Sequence, residues 1–201
     1  MKLYSMPSSG NSYKVRLLLS LLDLPCEIVD CEDATLEIAQ ARADGRLPFG
    51  KVPVLELDSG RLLPESNAIL LYLAQGSHLI PADPFHQAQM TAWMFWEQNQ
   101  HEGVIAVRAA LRNYPSRAHL VTPERLADLL DRGHQILGMM EQHLSGRDWL
   151  VDGGMSLADI CLYAYTHTAE ERGGYDMARF PAIRRWCARI AALPGYQELF
   201  A

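Results

Sequence analysis

Two dipeptides constrain this chain more than anything else in it. Val52-Pro53 opens the apolar run Val54-Leu55, and Glu65-Ser66 stands ten residues beyond Leu55. Proline has no N–H to give a sheet ladder, so in sheets it is confined to strand starts, edges and bulges. An X-Pro bond is also the one common place for a cis peptide. A cis Val52-Pro53 bond would turn the Val52 N–H and C=O outward, where they can pair with an extended peptide. Glu65-Ser66 falls where a strand gives way to a helix, and a helix N-terminus is a ready anion site. Together they predict a pocket for a small peptide with an amino group and a carboxylate at one end.

The hydrophobic period alternates along residues 1–76, as a mixed α/β unit requires. Lys2 to Ser5 reads as a strand. Asn11 to Leu22 carries Val15, Leu18, Leu19 and Leu22 at helical spacing and stops at Asp23-Leu24-Pro25. Cys26 to Asp30 is a second strand, Leu36 to Ala43 a helix and Pro53 to Leu57 a third strand. Asp58-Ser59-Gly60 makes a hairpin turn into a strand at Arg61 to Leu63, which Pro64 ends. Ser66 to Gln75 closes the unit as a helix with Ile69, Leu70 and Leu73 on one face. The order βαβαββα, with a right-handed βαβ start, is a thioredoxin-like arrangement.

Residues 77–84, with Ser77, Pro81, Asp83 and Pro84, read as a linker. Residues 85–201 then read as an all-helical bundle. Asp83 caps a long helix with Pro84 at its first position, and that helix runs without a proline to Asn113. Thr122-Pro123 starts another, ending near Leu144. Ser156-Leu157-Ala158-Asp159 is close to a capping box, with Met155 and Ile160 placed as a hydrophobic staple. It predicts a helix from Leu157 to Glu171, and Pro181 begins a last one.

A formal net charge of −6 argues against a nucleic-acid or anionic-membrane surface. No apolar run approaches the ~20 residues of a membrane span. Met1 leads straight into a strand with no signal peptide before it, so the simplest expectation is a cytoplasmic protein. The cysteines, Cys26, Cys31, Cys161 and Cys187, form no C-x-x-C and no zinc spacing. They read as free thiols, and no metal is expected.

In order and spacing these motifs resemble the soluble glutathione transferase family, in its bacterial Ser-dependent, theta- or nu-like branch. The resemblance spans nearly the whole chain. It implies a glutathione-binding thioredoxin-like domain at 1–76, a helical domain at 85–201 and a homodimer. The run Trp93-Met94-Phe95-Trp96-Glu97-Gln98 through His101-Glu102 also resembles bacterial members, departing from them at Asn99 and Gly103. Family members activate the glutathione thiol from the loop after the first strand, here Met6-Pro7-Ser8-Ser9-Gly10-Asn11-Ser12. Ser9 stands where the Ser types place their hydroxyl, and Tyr4 near where the Tyr types do. Ser12 is the alternative hydroxyl. A hydroxyl donating to sulfur, aided by a helix N-terminus, favours thiolate over a thiol that otherwise titrates near ~8.5. Asn11 would be the second donor, as in relatives with a Thr-Pro-Asn loop that also handle glutathione disulfide. No Cys occupies the Ser9 position, which speaks against a mixed-disulfide mechanism. Asn11 in place of Cys speaks against the maleylacetoacetate isomerase branch.

The same resemblance implies that Ser66 and the helix N–H groups hold the γ-glutamyl carboxylate. Glu65 would meet the ammonium, Val52 the cysteinyl main chain, and Lys51 or Gln40 the glycyl end, while Pro53 shapes the Val52 backbone. Met6, His101, Ile105, Arg108 and Tyr163 are candidate linings for an electrophile pocket. The leading functional expectation is a glutathione transferase acting on a small electrophile. Glutathione-dependent disulfide or peroxide reduction is a second. A non-catalytic interaction protein of the same fold is a third.

Overall fold

A computed structural model describes residues 1–200. The chain divides into two units: Met1–His78 together with the segment from Leu193 onward, and Leu79–Ala192.

The first unit is built on β1 (Lys2–Ser5), α1 (Gly10–Leu21), β2 (Glu27–Asp30), α2 (Leu36–Ala43), β3 (Val54–Glu56), β4 (Leu62–Pro64) and α3 (Ser66–Leu73). The sheet order is β2-β1-β3-β4. β1 runs parallel to β2, with Leu3 opposite Ile28, and antiparallel to β3, with Leu3 opposite Leu55. Alternation along the strands supplies two apolar faces. On one, Val15 and Leu19 of α1 and Ile69 of α3 bury Leu3 and Leu55. On the other, Ile38 and Ala41 of α2 pack with Cys31, Leu47 and Val54. Each fully buried Leu, Ile or Val contributes about 1.5–3 kcal/mol, so these two layers set the strand register. Pro64 is not the stop that its missing N–H suggests. It is the last residue of β4 and pairs with Val54, at a sheet edge where no further strand needs its N–H.

The C-terminal segment, read from sequence as part of the helical half, groups with the first unit. It lies along α1: Tyr13 Oη donates to the Gln197 carbonyl at 2.6 Å, Arg16 to that of Leu199 at 2.8 Å and Ser20 Oγ to that of Gly195 at 2.7 Å. Gly195 has φ +79, and a Cβ there would lie 2.8 Å from the Ser20 carbonyl oxygen. Only glycine fits so close a crossing.

The second unit contains α4 (Pro84–Trp96), a π-helical stretch (Glu97–Ala106), α5 (Val107–Asn113), α6 (Pro123–Leu144), α7 (Leu157–Thr166) and α8 (Pro181–Ala191). Asp83 caps α4, accepting from His86 N at 2.9 Å, and Thr122 caps α6 by accepting from Arg125 N at 3.1 Å. The helix expected to run regularly to Asn113 widens to π geometry in its middle. The widened turns carry polar side chains inward. Cys161 Sγ donates to Glu97 Oε2 at 3.3 Å, and His101 Nε2 lies 3.0 Å from Thr166 Oγ1. Thr166 already donates to the Leu162 carbonyl, so the proton between them belongs to His101 Nε2. α7 ends at Thr166, five residues short of its expected end, and the chain continues through a separate π turn at Ala169–Gly173.

His167 follows α7. Its ring stacks on Tyr163 at 4.5 Å and its Nδ1 donates to the Tyr163 carbonyl at 2.8 Å. Burial pushes its pKa down to about 4, against the upward pull of that hydrogen bond and with help from the Arg172 charge. In the unfolded chain a histidine titrates near ~6.5. Between these values the unfolded state binds a proton that the folded state refuses. Stability is therefore lost as pH falls from about 6.5 to about 4, by on the order of 3 kcal/mol at full extent, and levels off below. His167→Gln should flatten that part of the Tm-against-pH curve relative to wild type. Parallel curves for the two proteins would rule the assignment out.

Among the described residues, no helix is long and apolar enough to cross a membrane. None of the four cysteines is in a disulfide, and Cys31 and Cys161 are buried.

Candidate active site

The loop from Met6 to Ser9 is held from three directions. Ser12 Oγ accepts from Met6 N at 3.0 Å. Ser8 donates its N–H and its hydroxyl to the Glu32 carboxylate, at 3.1 and 2.8 Å. The Arg16 guanidinium donates to Ser5 Oγ at 2.7 Å and to the Met6 and Pro7 carbonyls at 3.3 and 2.9 Å. Burial pushes the Arg16 pKa below its ordinary value, a cost offset by the hydrogen bonds from both of its Nη groups. A loop fixed this way can hold a side chain in one place. Glu32 and Arg16 were missed in the sequence reading. The available signal was a basic residue set within the apolar pattern of α1.

Ser9 is the N-cap of α1, with extended φ −88 and ψ 128, and its Oγ accepts from Ser12 N at 3.4 Å. Capping uses the oxygen and leaves the hydroxyl proton to donate elsewhere. Ser9 is half-buried, whereas Ser12 is fully buried and serves the loop backbone. Ser9 is therefore the accessible hydroxyl of the two. Tyr4 is committed on the opposite face of the sheet. It packs with the α2 cluster and its hydroxyl donates to Glu56 Oε2 at 2.9 Å. Burial, and then the Glu56 carboxylate, raise its pKa, so it is poorly suited to share a proton with a thiolate.

The Val52-Pro53 bond is cis. The ladder begins at Val54, so the Val52 backbone lies just beyond the last strand pair. Pro53 is buried, Val52 half-buried and Lys51 exposed. Glu65 precedes α3 with φ 72 and ψ 115, and its carboxylate makes no cap hydrogen bond. A non-glycine residue in such a conformation costs about 1–3 kcal/mol and tends to occur at functional sites. Ser66 is 4% exposed and opens α3. Gln40, the weaker candidate for the glycyl end, donates instead to Oδ1 of Asp44, the C-cap of α2, at 2.8 Å.

One oxygen joins the two halves. Asn11 Oδ1 accepts from Ser66 Oγ at 3.1 Å and from Lys14 Nζ at 2.7 Å. The hydrogen bond ties the N-terminus of α1 to that of α3. Each helix end carries about half a positive charge, and the Lys14 ammonium adds to them. The Glu65 carboxylate stands at the edge of this region. The arrangement suits a molecule with anionic groups between the helix ends and a cation beside Glu65.

Four of the five residues expected to line an electrophile pocket belong to the helical unit and are buried. His101, Ile105, Arg108 and Tyr163 are each at most 6% exposed. Arg108 is not an anion receptor: it donates to the Gly173 carbonyl at 2.7 Å and to that of Leu126. Helical spacing alone could not tell a pocket wall from a core.

Comparison with known proteins agrees with this layout. Residues 3–78 match the family model for the glutathione S-transferase N-terminal domain, and residues 107–194 that for the C-terminal domain. A glutathione S-transferase of solved structure from Xanthobacter autotrophicus is 41% identical, covering 98% of this chain and 96% of its own, with a TM-score of 0.90. One from Pseudomonas fluorescens is 39% identical over 100% and 98%, with a TM-score of 0.92. Protein LigF of Sphingobium is 28% identical, covering 100% of this chain and 93% of its own, and its solved structure is described as a beta-etherase. Matched in both halves and along nearly its whole length, the chain belongs to the glutathione S-transferase family, whose co-substrate is glutathione.

Proposed function

We propose that this protein is a glutathione transferase that activates the glutathione thiol at Ser9 and presents the thiolate to a small electrophile. The observation that carries this reading is the Ser66–Asn11 hydrogen bond at 3.1 Å. It ties a hydroxyl donor at one helix N-terminus to an anion site at another. In this reading the Ser9 hydroxyl and the Asn11 amide N–H donate to sulfur. The α3 N–H groups and Ser66 take the γ-glutamyl carboxylate, and Glu65 takes its ammonium. The Val52 main chain meets the cysteinyl residue, with Lys51 at the glycyl carboxylate. The thiol proton leaves to solvent, sulfur forms a bond to an electrophilic carbon, and the leaving group departs with its electron pair. Positioning between the two helix ends adds to the effect of ionisation.

A charge-assisted hydrogen bond is worth about 1.5–3 kcal/mol, so loss of the Ser9 donor raises the thiolate pKa by about one to two units. Titrating glutathione into wild type and Ser9→Ala while following ultraviolet thiolate absorbance tests this. The expected result is a thiolate signal at neutral pH that falls severalfold or more in the variant, with binding retained. Equal signals would remove Ser9 from the mechanism. Binding without thiolate in either protein would favour a disulfide-form binder or a non-catalytic interaction protein.

Asn11 supports a second reading, glutathione-dependent reduction of a disulfide or peroxide. Comparing conjugation of a model electrophile with reduction of a small disulfide separates the two. On the family resemblance alone, the reading extends to a cytoplasmic homodimer, which light scattering at working concentration tests.

A further inference from the structure

Beside the C-terminal half of α1 lies a cavity of about 540 Å³, within the ~300–1,000 Å³ range of small-molecule sites. Its lining comes from α1, from the turn at Asp23-Leu24-Pro25, from the start of β2 and from Gln197 of the C-terminal segment, all in the first unit. Ser9, Asn11 and Ser66 do not line it.

Arg16 is the buried cation of this cavity, 8% exposed. Its Nη1 donates to Ser5 and Met6 and its Nη2 to Pro7 and Leu199. A guanidinium has a fifth N–H, at Nε, and here that N–H meets no acceptor among the described residues. A buried donor left unpaired is costly, and an acceptor on a ligand removes the cost. Gln197 is half-buried on the same cavity. Its backbone carbonyl accepts from Tyr13, while its side-chain amide bonds to no described residue.

The second charge lining the cavity has the opposite sign. Asp23 is exposed where Arg16 is enclosed, and its carboxylate pairs with no described group. Apolar side chains stand with them: Leu19 is buried, Leu24 half-buried and Ile28 41% exposed. An occupant can cover that remaining apolar surface. A plain organic anion suits Arg16 but is repelled by Asp23, whereas a zwitterion satisfies both.

We propose that this cavity is a second binding site, for a small zwitterion with an apolar body, a dipeptide with aliphatic side chains. Its carboxylate meets the Arg16 Nε–H and the Gln197 amide, its side chains cover Leu19, Leu24 and Ile28, and its ammonium pairs with Asp23. The site stands apart from the thiol chemistry and does not depend on it.

The test is calorimetric titration of leucyl-leucine, its C-terminal amide and its N-acetyl form into wild type, Asp23→Asn and Gln197→Ala. Saturating S-methylglutathione is present throughout, so that a peptide entering the Ser9 and Ser66 site is displaced. Asparagine accepts the Asp23 φ of +50 as aspartate does, so Asp23→Asn removes the charge alone. The expected result is saturable binding of leucyl-leucine, weakened about tenfold by amidation of its carboxylate and severalfold in Gln197→Ala. N-acetylation should cost wild type about twofold to fivefold in Kd, as an exposed ion pair does, and cost Asp23→Asn nothing further. Absence of saturable binding overturns the proposal, whether or not S-methylglutathione itself binds. So does binding to which amidation makes no difference, since that marks apolar contact alone. An acetylation penalty of equal size in wild type and Asp23→Asn removes Asp23 from the site and overturns the zwitterion assignment.

Discussion

Replacing Asp159 by alanine should lower Tm by roughly 10 °C, the largest stability loss expected from any single polar substitution in the helical unit. The carboxylate is fully enclosed and accepts four hydrogen bonds. Leu150 N and Trp186 Nε1 donate to Oδ1 at 3.0 and 2.9 Å, and Ser156 N and Oγ to Oδ2 at 2.9 and 3.2 Å. Burial pushes the Asp159 carboxyl above its ordinary pKa while these bonds pull it back. Ser156, Leu150 and Trp186 are themselves at most 2% exposed, so alanine strands three buried N–H donors. Each costs about 1–3 kcal/mol. Relief of the buried charge offsets part of the sum, leaving about 4 kcal/mol. At roughly 2–4 °C per kcal/mol for a chain of this size, the shift follows. Asp159→Asn keeps one acceptor oxygen but sets an N–H against the Ser156 N–H, so about half the loss is expected. Thermal unfolding of the three proteins checks this. An Asp159→Ala protein within about 3 °C of wild type would mean that water or rearrangement satisfies those donors.

The second large effect is expected at the other unit. Ser66→Ala should raise the KM for glutathione about tenfold or more and change kcat far less. The reason is the kind of interaction removed. A hydrogen bond to a carboxylate remote from the reacting sulfur is made equally in ground and transition states, and such uniform binding appears in KM. Asn11 should keep its orientation in the variant, because Lys14 still holds Oδ1. Glu65→Gln should act in the same direction by weakening the contact to the substrate ammonium. Steady-state kinetics with a model electrophile, supported by calorimetric Kd values, separate the two parameters. A fall in kcat with KM unchanged would mean that Ser66 acts through Asn11 on the sulfur rather than on the carboxylate.

Much of the fold was legible in local chemistry. α2 and α6 run over the residues that spacing and caps predicted, and Asp83-Pro84 and Thr122-Pro123 start their helices as written. Such starts are set within a few residues, where capping and proline geometry act. The ends of β3 and β4 were less readable, because ladder partners decide them and those come from elsewhere in the chain. The π stretch at Glu97–Ala106 was not readable at all. Nothing in the side-chain pattern separates five-residue from four-residue hydrogen bonding. The choice goes with Glu97 and His101 meeting Cys161 and Thr166, more than sixty positions away.

The candidate site divides along the same line. The sequence by itself determined which chemical groups are available: a hydroxyl at a helix start, a cis-capable Val-Pro step and an acidic-hydroxyl pair at a second helix start. Those are properties of residue type and immediate neighbours. Only the tertiary structure decided which groups meet. It turned Tyr4 to Glu56, enclosed His101 and Arg108, laid the C-terminal segment along α1, and brought Ser66 to the side-chain oxygen of Asn11. Contacts across fifty or more residues depend on how apolar faces stack, and no local pattern encodes the side chains that stacking brings within 3 Å of one another.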